Sequence, residues 1–224
     1  MTENCAISHA TLPGSYAPGT VGLPYEGVES RVNPETGEIQ MRSPALMQGY
    51  YREPEMTAAA MTADGWLRTG DKGQIDAKGL LSITGRVKDM FKTSKGKYIA
   101  PAPIEDLLVI NDGVEACCVT GANFAQPFAV CMLSQDAAKS SEDSAKRQAL
   151  EKSLTLHLQA VNARLEPHEK LDFLAVVVTP WTPESGMVTP TLKVKRDSVE
   201  SRYGKHFENW LAQGRPVVWV SAEV

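Results

Sequence analysis

The sequence is short of the residues that build metal centres and disulfide frameworks. Its four cysteines (Cys5, Cys117, Cys118 and Cys131) include no Cys-x-x-Cys pair and two are adjacent, so neither a structural zinc site nor a cross-linked scaffold is indicated. Reduced thiols in a cytoplasmic protein are the simplest reading. The four histidines (His9, His157, His168 and His206) lack the spacing of metal ligands and read as structural or surface groups. Long hydrophobic runs are missing too. No apolar stretch approaches ~18 residues and no charged-then-apolar leader opens the chain, so neither a helical membrane span nor a secretion signal is read, while peripheral membrane contact stays open. There is no excess of positive charge: the formal net charge is -4, with 6 basic and 10 acidic side chains in residues 1–85 and 17 of each in residues 86–224. Neither half has the basic stripe of a nucleic-acid binder. Nothing in the pattern sets an oligomeric state.

What is present is an ordinary globular composition, 224 residues with 42% hydrophobic and 22% charged, long enough for one or two domains. Residues 1–85 are rich in Gly and Pro. Short runs at 28–32, Glu38–Arg42 and 80–84, separated by turn signals such as Asn33-Pro34-Glu35-Thr36-Gly37, predict a small β-rich, barrel-like unit with one short helix over 54–61. After Gly85 strands and helices alternate. Pro103 in a first turn, with Ile104, Leu107 and Leu108 on one face, predicts a short helix that stops at Asn111-Asp112-Gly113. Strands are expected over Val114–Thr120, Phe128–Leu133 and 173–178. Ser140 with Asp143 resembles a capping box ahead of a helix carrying Leu150, Leu154, Leu158, Val161 and Leu165; Asp197 with Glu200 resembles a second, ahead of Val199, Tyr203, Phe207 and Trp210. The expected fold class is therefore α+β, with a β-rich unit over 1–87 followed by an α+β domain over 88–224.

Two segments carry candidate chemistry. Gly65-Trp66-Leu67-Arg68-Thr69-Gly70-Asp71 reads as a tight glycine turn presenting Asp71 at a loop tip, where a carboxylate can accept two hydrogen bonds from a vicinal diol such as a ribose. A turn aspartate that satisfies its own backbone is the plainer alternative. Residues 85–105, GRVKDMFKTSKGKYIAPAPIE, set Arg86, Lys88, Lys92, Lys95 and Lys97 against Asp89 and Glu105, a density suited to phosphate groups or to a lysine-guarded hairpin edge. Ser94-Lys95-Gly96-Lys97 is not a Walker phosphate loop, because Phe91 stands where that loop needs Gly.

WLRTGD, GRVKDMFKTSKGKYIAPAPIE and the later PTLKVKR resemble, in order, signatures of the adenylate-forming superfamily of acyl-CoA synthetases, luciferases and peptide-synthetase adenylation domains. Met1-Thr2-Glu3-Asn4 resembles the end of that family's Tyr-Gly-x-Thr-Glu motif and GEIQMRSPALMQGYY its Gly-Glu-Leu…Gly-Tyr segment, so the resemblance covers nearly the whole chain. Lys-Thr-Ser-x-Gly-Lys-Tyr followed by Ala-Pro-x-x-Ile-Glu is most similar to the long-chain fatty acyl-CoA synthetases. The resemblance implies a two-step reaction: a fatty acid carboxylate and ATP give acyl-AMP and pyrophosphate, and CoA then displaces AMP. ATP, AMP, Mg2+, fatty acid and CoA are the implied small-molecule partners.

The same resemblance implies roles for single residues. Thr2 matches a phosphate-contacting threonine and Glu3 a Mg2+-ligating glutamate, both expected to be disordered at a free-standing amino terminus. Asp71 matches the ribose-binding aspartate, with Arg86 as a charged donor nearby. Lys88 falls on the hinge position, where many relatives place Asp. Gly96 falls on a hairpin that approaches pantetheine. Lys193 matches the lysine that reaches the acyl carboxylate and α-phosphate; Thr191-Leu192 replaces the usual Ser-Gly before it, leaving Lys195 as a competitor, and the spacing to Arg196 favours Lys193. The family's phosphate loop and acyl pocket lie upstream of the Thr-Glu motif. The chain thus reads as a carboxyl-terminal part of a fatty acid:CoA ligase, inactive alone. The alternatives are part of an adenylation domain that loads a carrier protein and a noncatalytic interaction module.

Overall fold

In the computed structural model, which describes residues 1–220, the chain divides after Lys88 into two compact units. The first opens with a two-residue ribbon, β1 (His9–Ala10) against β2 (Leu23–Pro24). It continues as an antiparallel meander of β3 (Glu29–Val32), β4 (Glu38–Arg42), β5 (Leu67–Ile75) and β6 (Leu81–Arg86), with α1 (Pro54–Ala60) between β4 and β5. Side chains write the turns. Asn33 Oδ1 accepts the N–H groups of Glu35 and Thr36 at 2.9 and 3.0 Å, and Asp76 Oδ1 those of Lys78 and Leu80 at 2.8 and 2.9 Å, reversing the chain after β3 and after β5. The apolar cluster of this unit is small, Ile39, Met41 and Leu81. Beside it the guanidinium groups of Arg31 and Arg42 both lie over the Trp66 ring, 4.4 and 4.8 Å from its centre.

The second unit begins with a hairpin, β7 (Phe91–Lys92) and β8 (Tyr98–Ile99), and runs into α2 (Pro101–Leu108). Then follow β9 (Val114–Thr120), β10 (Phe128–Leu133), α3 (Gln135–Ser140), α4 (Ser144–Asn162), β11 (Leu174–Val177), α5 (Arg196–Tyr203), α6 (Phe207–Leu211) and β12 (Val217–Trp219). Their sheet has the order β12-β11-β10-β9, with β9 antiparallel to β10 and the other pairs parallel. Both faces are covered. Cys117, Val119, Ala129, Cys131, Leu174 and Val176 point to the layer holding Ile104 and Leu108 of α2 and Leu154, Leu158 and Val161 of α4. Cys118, Phe128, Val130, Ala175 and Val218 point the other way, to Val199, Tyr203, Phe207 and Trp210. Every residue of β10 is consequently buried, so the strand reads as a continuous apolar run without alternation.

The α+β class expected from the sequence is the class observed, with local corrections. α2 starts at Pro101, two residues before the expected first-turn proline, because an N-terminal turn leaves backbone N–H groups free and tolerates both prolines. Neither capping box forms. Ser134 caps α3, and Asp143 itself caps α4 by accepting the Lys146 N–H at 2.9 Å. α5 starts at Arg196 behind Lys195 with no side-chain cap, and Glu200 instead accepts the Thr120 hydroxyl at 2.6 Å. The β5 and β12 strands are additions that the sequence pattern did not indicate.

Phe128 is fully buried, stacked on Phe173 with ring centres 4.6 Å apart and meeting Phe207 edge-on at 4.9 Å. Phe128→Ala should cost the second unit about 3–5 kcal/mol in chemical denaturation followed through Trp181, Trp210 and Trp219, a loss under about 1 kcal/mol being incompatible with this packing.

Candidate functional site

In the first unit the candidate site is made by strand register. Asp71 and Arg86 are direct cross-strand partners on β5 and β6, and Arg86 Nη1 lies 3.0 Å from Asp71 Oδ1. The expectation of a loop tip is corrected: Asp71 sits within a nine-residue strand. The turn signal was nevertheless physical. Gly70 has φ 72° at an interruption of the pairing, a left-handed conformation that suits glycine. Around it Glu38, buried on β4, accepts the Gly70 N–H at 3.1 Å and faces Arg68 at 3.4 Å, while the Asp71 N–H is taken by Thr69 Oγ1 at 3.1 Å. The Asp71 carboxylate is thus held by backbone geometry and one guanidinium, with its side chain still 28% exposed and open to a further partner.

The amino-terminal residues are placed, not disordered as expected. Thr2–Asn4 is a single 3-10 turn fastened by Asn4, whose fully buried side chain accepts from the Ser43 hydroxyl and donates to the Ile7 carbonyl. Tyr50 donates its hydroxyl to Glu3 Oε1 at 3.0 Å, and the Met47 N–H binds the Glu3 carbonyl at 2.7 Å. The Glu3 carboxyl is held below the usual carboxylate range by its own backbone N–H and, against the effect of burial, by Tyr50. Thr2 is exposed beside it. Among the described residues no group of three or more His, Cys, Asp or Glu is placed to hold a metal ion. Mg2+ asks less of a protein, since it keeps waters and substrate phosphates and takes one or two carboxylates; the ionised, partly exposed Glu3 fits as one such ligand.

Lys88 is exposed in the turn after β6, where the first unit ends. In the second unit Gly96 has φ 79° in the β7–β8 turn, and a Cβ there would meet nothing closer than Lys92 Cε at 3.7 Å, so backbone geometry and not space selects glycine. Lys193 lies at the tip of a short loop. Met187 and Val188 are buried at its base, Val188 pairs with Val194, and the Lys195 N–H binds the Met187 carbonyl at 2.9 Å. At the tip the Thr189 N–H binds the Lys193 carbonyl at 2.8 Å and Thr189 Oγ1 accepts the Lys193 N–H at 3.1 Å. Leu192, which stands where the resembled motif has Gly, keeps a glycine-type backbone at φ 61°, costing roughly 1–2 kcal/mol for a residue with a Cβ. Lys193 and Lys195 are both exposed, one at the tip and one at the base.

Residues 88–213, more than half the chain, match the family described as the AMP-binding enzyme C-terminal domain. The chain belongs to the AMP-binding, adenylate-forming enzymes. It is 30% identical over 241 residues to the putative fatty-acid–CoA ligase fadD11 of Mycobacterium tuberculosis, covering all of this chain and 41% of that protein. It is 33% identical over 220 residues to long-chain-fatty-acid–CoA ligase 5 of Mus musculus, covering 87% of this chain and 32% of that one. Among solved structures, the A-PCP didomain of carboxylic acid reductase from Segniliparus rugosus in complex with AMP superposes with a TM-score of 0.70 at 25% identity, covering 86% of this chain and 28% of that chain. The chain therefore spans about two fifths or less of the length of these proteins.

For this AMP-binding family member, sequence reasoning overlooked the residues that hold the candidate groups still. Glu38 had a signal, the Gly-Glu of the GEIQMRSP segment. Tyr50 and Glu105 also lie inside quoted motifs, but their partners are 47 and 91 residues away in sequence and could not be paired by spacing. A cleft of about 910 Å³ opens beside Met132, Lys139, Arg147 and Trp219, and none of the sequence-predicted site residues lines it.

The cysteines play no part in these sites. Cys117, Cys118 and Cys131 are buried and Cys5 is exposed, and burial pushes the Cys118 thiol up to about 12. At pH 8 a disulfide-exchange thiol reagent should titrate Cys5 rapidly and reach the other three only after denaturation; more than one fast thiol in the native protein contradicts the packing of β9 and β10.

Proposed function

We propose that this chain supplies the ribose-binding strand pair and the mobile carboxyl-terminal domain of an ATP-dependent fatty acid:CoA ligase. The observation that carries the reading is the match along the whole chain to a putative fatty-acid–CoA ligase at 30% identity. Geometry supports it through the Asp71–Arg86 pair, a carboxylate steadied by one guanidinium and left partly exposed, as a diol receptor requires. Residues 1–87 are the β-rich end of the adenylating core and residues 88–224 the domain that moves, with Lys88 as the hinge.

In the first step a fatty acid carboxylate oxygen attacks the α-phosphorus of ATP and pyrophosphate leaves. Asp71 orients the ribose through its hydroxyls with Arg86 alongside, Thr2 contacts phosphate, and Lys193 brings its ammonium to the carboxylate and α-phosphate as charge develops there. Glu3 would hold Mg2+, which neutralises phosphate charge when bound. Rotation at Lys88 then exchanges Lys193 for the β7–β8 hairpin, and Gly96 lines the approach of the CoA thiol, whose sulfur takes the acyl group and releases AMP.

A second reading, an adenylation domain that loads a carrier protein, is favoured by the superposition on the didomain from Segniliparus rugosus. The two differ in the thiol acceptor, free CoA or a phosphopantetheinylated carrier.

In the full-length protein carrying this chain, Asp71→Ala should raise KM for ATP about ten- to a hundred-fold, the loss expected for a charge-assisted hydrogen bond to the diol, and leave KM for the fatty acid nearly unchanged in ATP–pyrophosphate exchange. An unchanged KM for ATP would remove Asp71 from the nucleotide site.

A further inference from the structure

A lysine on a loop tip can meet a phosphate reproducibly only if both ends of the loop are fixed. The amino-terminal end of the Lys193 loop is anchored by the burial of Met187 and Val188. The other end passes directly into α5, whose first residue, Arg196, is tied down by an ion pair outside the candidate site. Arg196 Nη2 donates to Glu105 Oε1 on α2 at 2.6 Å, and Nη1 donates to the Val119 carbonyl and contacts Cys118 Sγ at 3.1 Å on β9. The same Glu105 oxygen accepts the Val119 N–H at 2.8 Å, so the carboxylate is itself anchored to the strand that receives the guanidinium. One turn further along α5, Glu200 accepts the hydroxyl of Thr120, the next residue of β9.

Burial separates this pair from the others. Its side chains are 19% and 20% exposed, whereas Arg31–Asp64 and Arg42–Glu29 are 40% and 57% and 47% and 56% exposed, so those are surface pairs that add little. Arg196 Nε is buried with no partner, an arrangement poorly suited to maximal stability. A buried ion pair is in general weak evidence of stabilisation, and its best-supported use is to fix one geometry among alternatives.

We propose that Arg196 and Glu105 are positioning residues for adenylation: they clamp the start of α5 to α2 and β9 and thereby set where Lys193, three residues earlier, delivers its ammonium. The inference rests on the reading of Lys193 as the lysine that meets the α-phosphate. It assigns a role to the Ile-Glu that closes residues 85–105 and to the Arg that closes PTLKVKR, two motif ends that meet in space through one oxygen.

The test is single-turnover kinetics of both half reactions in the full-length protein carrying this chain, with Lys193→Ala, Arg196→Met, Glu105→Gln and the double variant Lys193→Ala/Arg196→Met. Arg196→Met should slow acyl-AMP formation about ten- to a hundred-fold, the scale of a small misplacement of a reacting group, and leave thioester formation from supplied acyl-AMP within about two-fold. Glu105→Gln keeps an acceptor oxygen for both donors and should lose less than Arg196→Met. The double variant should be no slower than Lys193→Ala alone, because Arg196 acts through Lys193. Equal loss in both half reactions, no loss, or full multiplication of the two single effects would overturn the positioning role. If Lys193→Ala itself leaves acyl-AMP formation intact, the Lys193 reading fails first and the clamp falls with it. Should Arg196→Met not fold, Arg196→Lys keeps the charge without the planar fork and is read by the same outcomes.

Discussion

The strand Phe128–Leu133 has no exposed residue, and the architecture of the second unit follows from satisfying both of its faces. One face needs α2 and α4, the other needs the aromatic residues of α5 and α6, and each helix must arrive by a connection that clears the sheet. The β11–α5 connection that results carries Lys193 on a short hairpin with a buried base. Packing of the sheet thereby places a flexible, exposed lysine on rigid support, and the Arg196–Glu105 pair closes the frame at the far end of the loop.

The first unit is built on a different principle. Its apolar cluster is three residues, and charged and polar groups do much of the ordering: Glu38 collects the Gly70 N–H and Arg68, Arg31 and Arg42 lie over the Trp66 ring, and Asn4 fastens the amino-terminal turn. Such interactions fix directions more than they contribute stability. That suits a surface whose task, in the reading proposed above, is to hold Asp71 and Arg86 at a set separation for a nucleotide.

Much of the fold was legible where one physical signal dominated. Glu38–Arg42, Val114–Thr120 and Phe128–Leu133 are strands where apolar and β-branched residues cluster, and Leu154, Leu158 and Val161 face the core at helical spacing. Legibility failed where main-chain pairing overrode local preference. Leu67–Ile75 contains two glycines and no clean alternation, yet it is a strand because β4 and β6 pair with it on both sides. The caps were misread because Asp143 lies one residue before α4 and does the work alone, and because Glu200 is claimed by Thr120 in the sheet. In the candidate site, Asp71 and Arg86 were visible as types and became a pair only through cross-strand register. The supporting residues Glu38, Tyr50, Glu105 and Arg196 act over separations that no local pattern reports.

In the function proposed above, the protein carrying this chain activates a fatty acid by transferring AMP to it. The most direct test of that function is a quench-flow experiment with ATP labelled at the α-phosphorus and, in parallel, at the γ-phosphorus, and a long-chain fatty acid, with and without CoA. The account predicts acyl-AMP and pyrophosphate in equal amounts when CoA is withheld, and conversion to AMP and acyl-CoA when it is added. Release of ADP and phosphate, or ATP that binds and is returned unchanged, would contradict it.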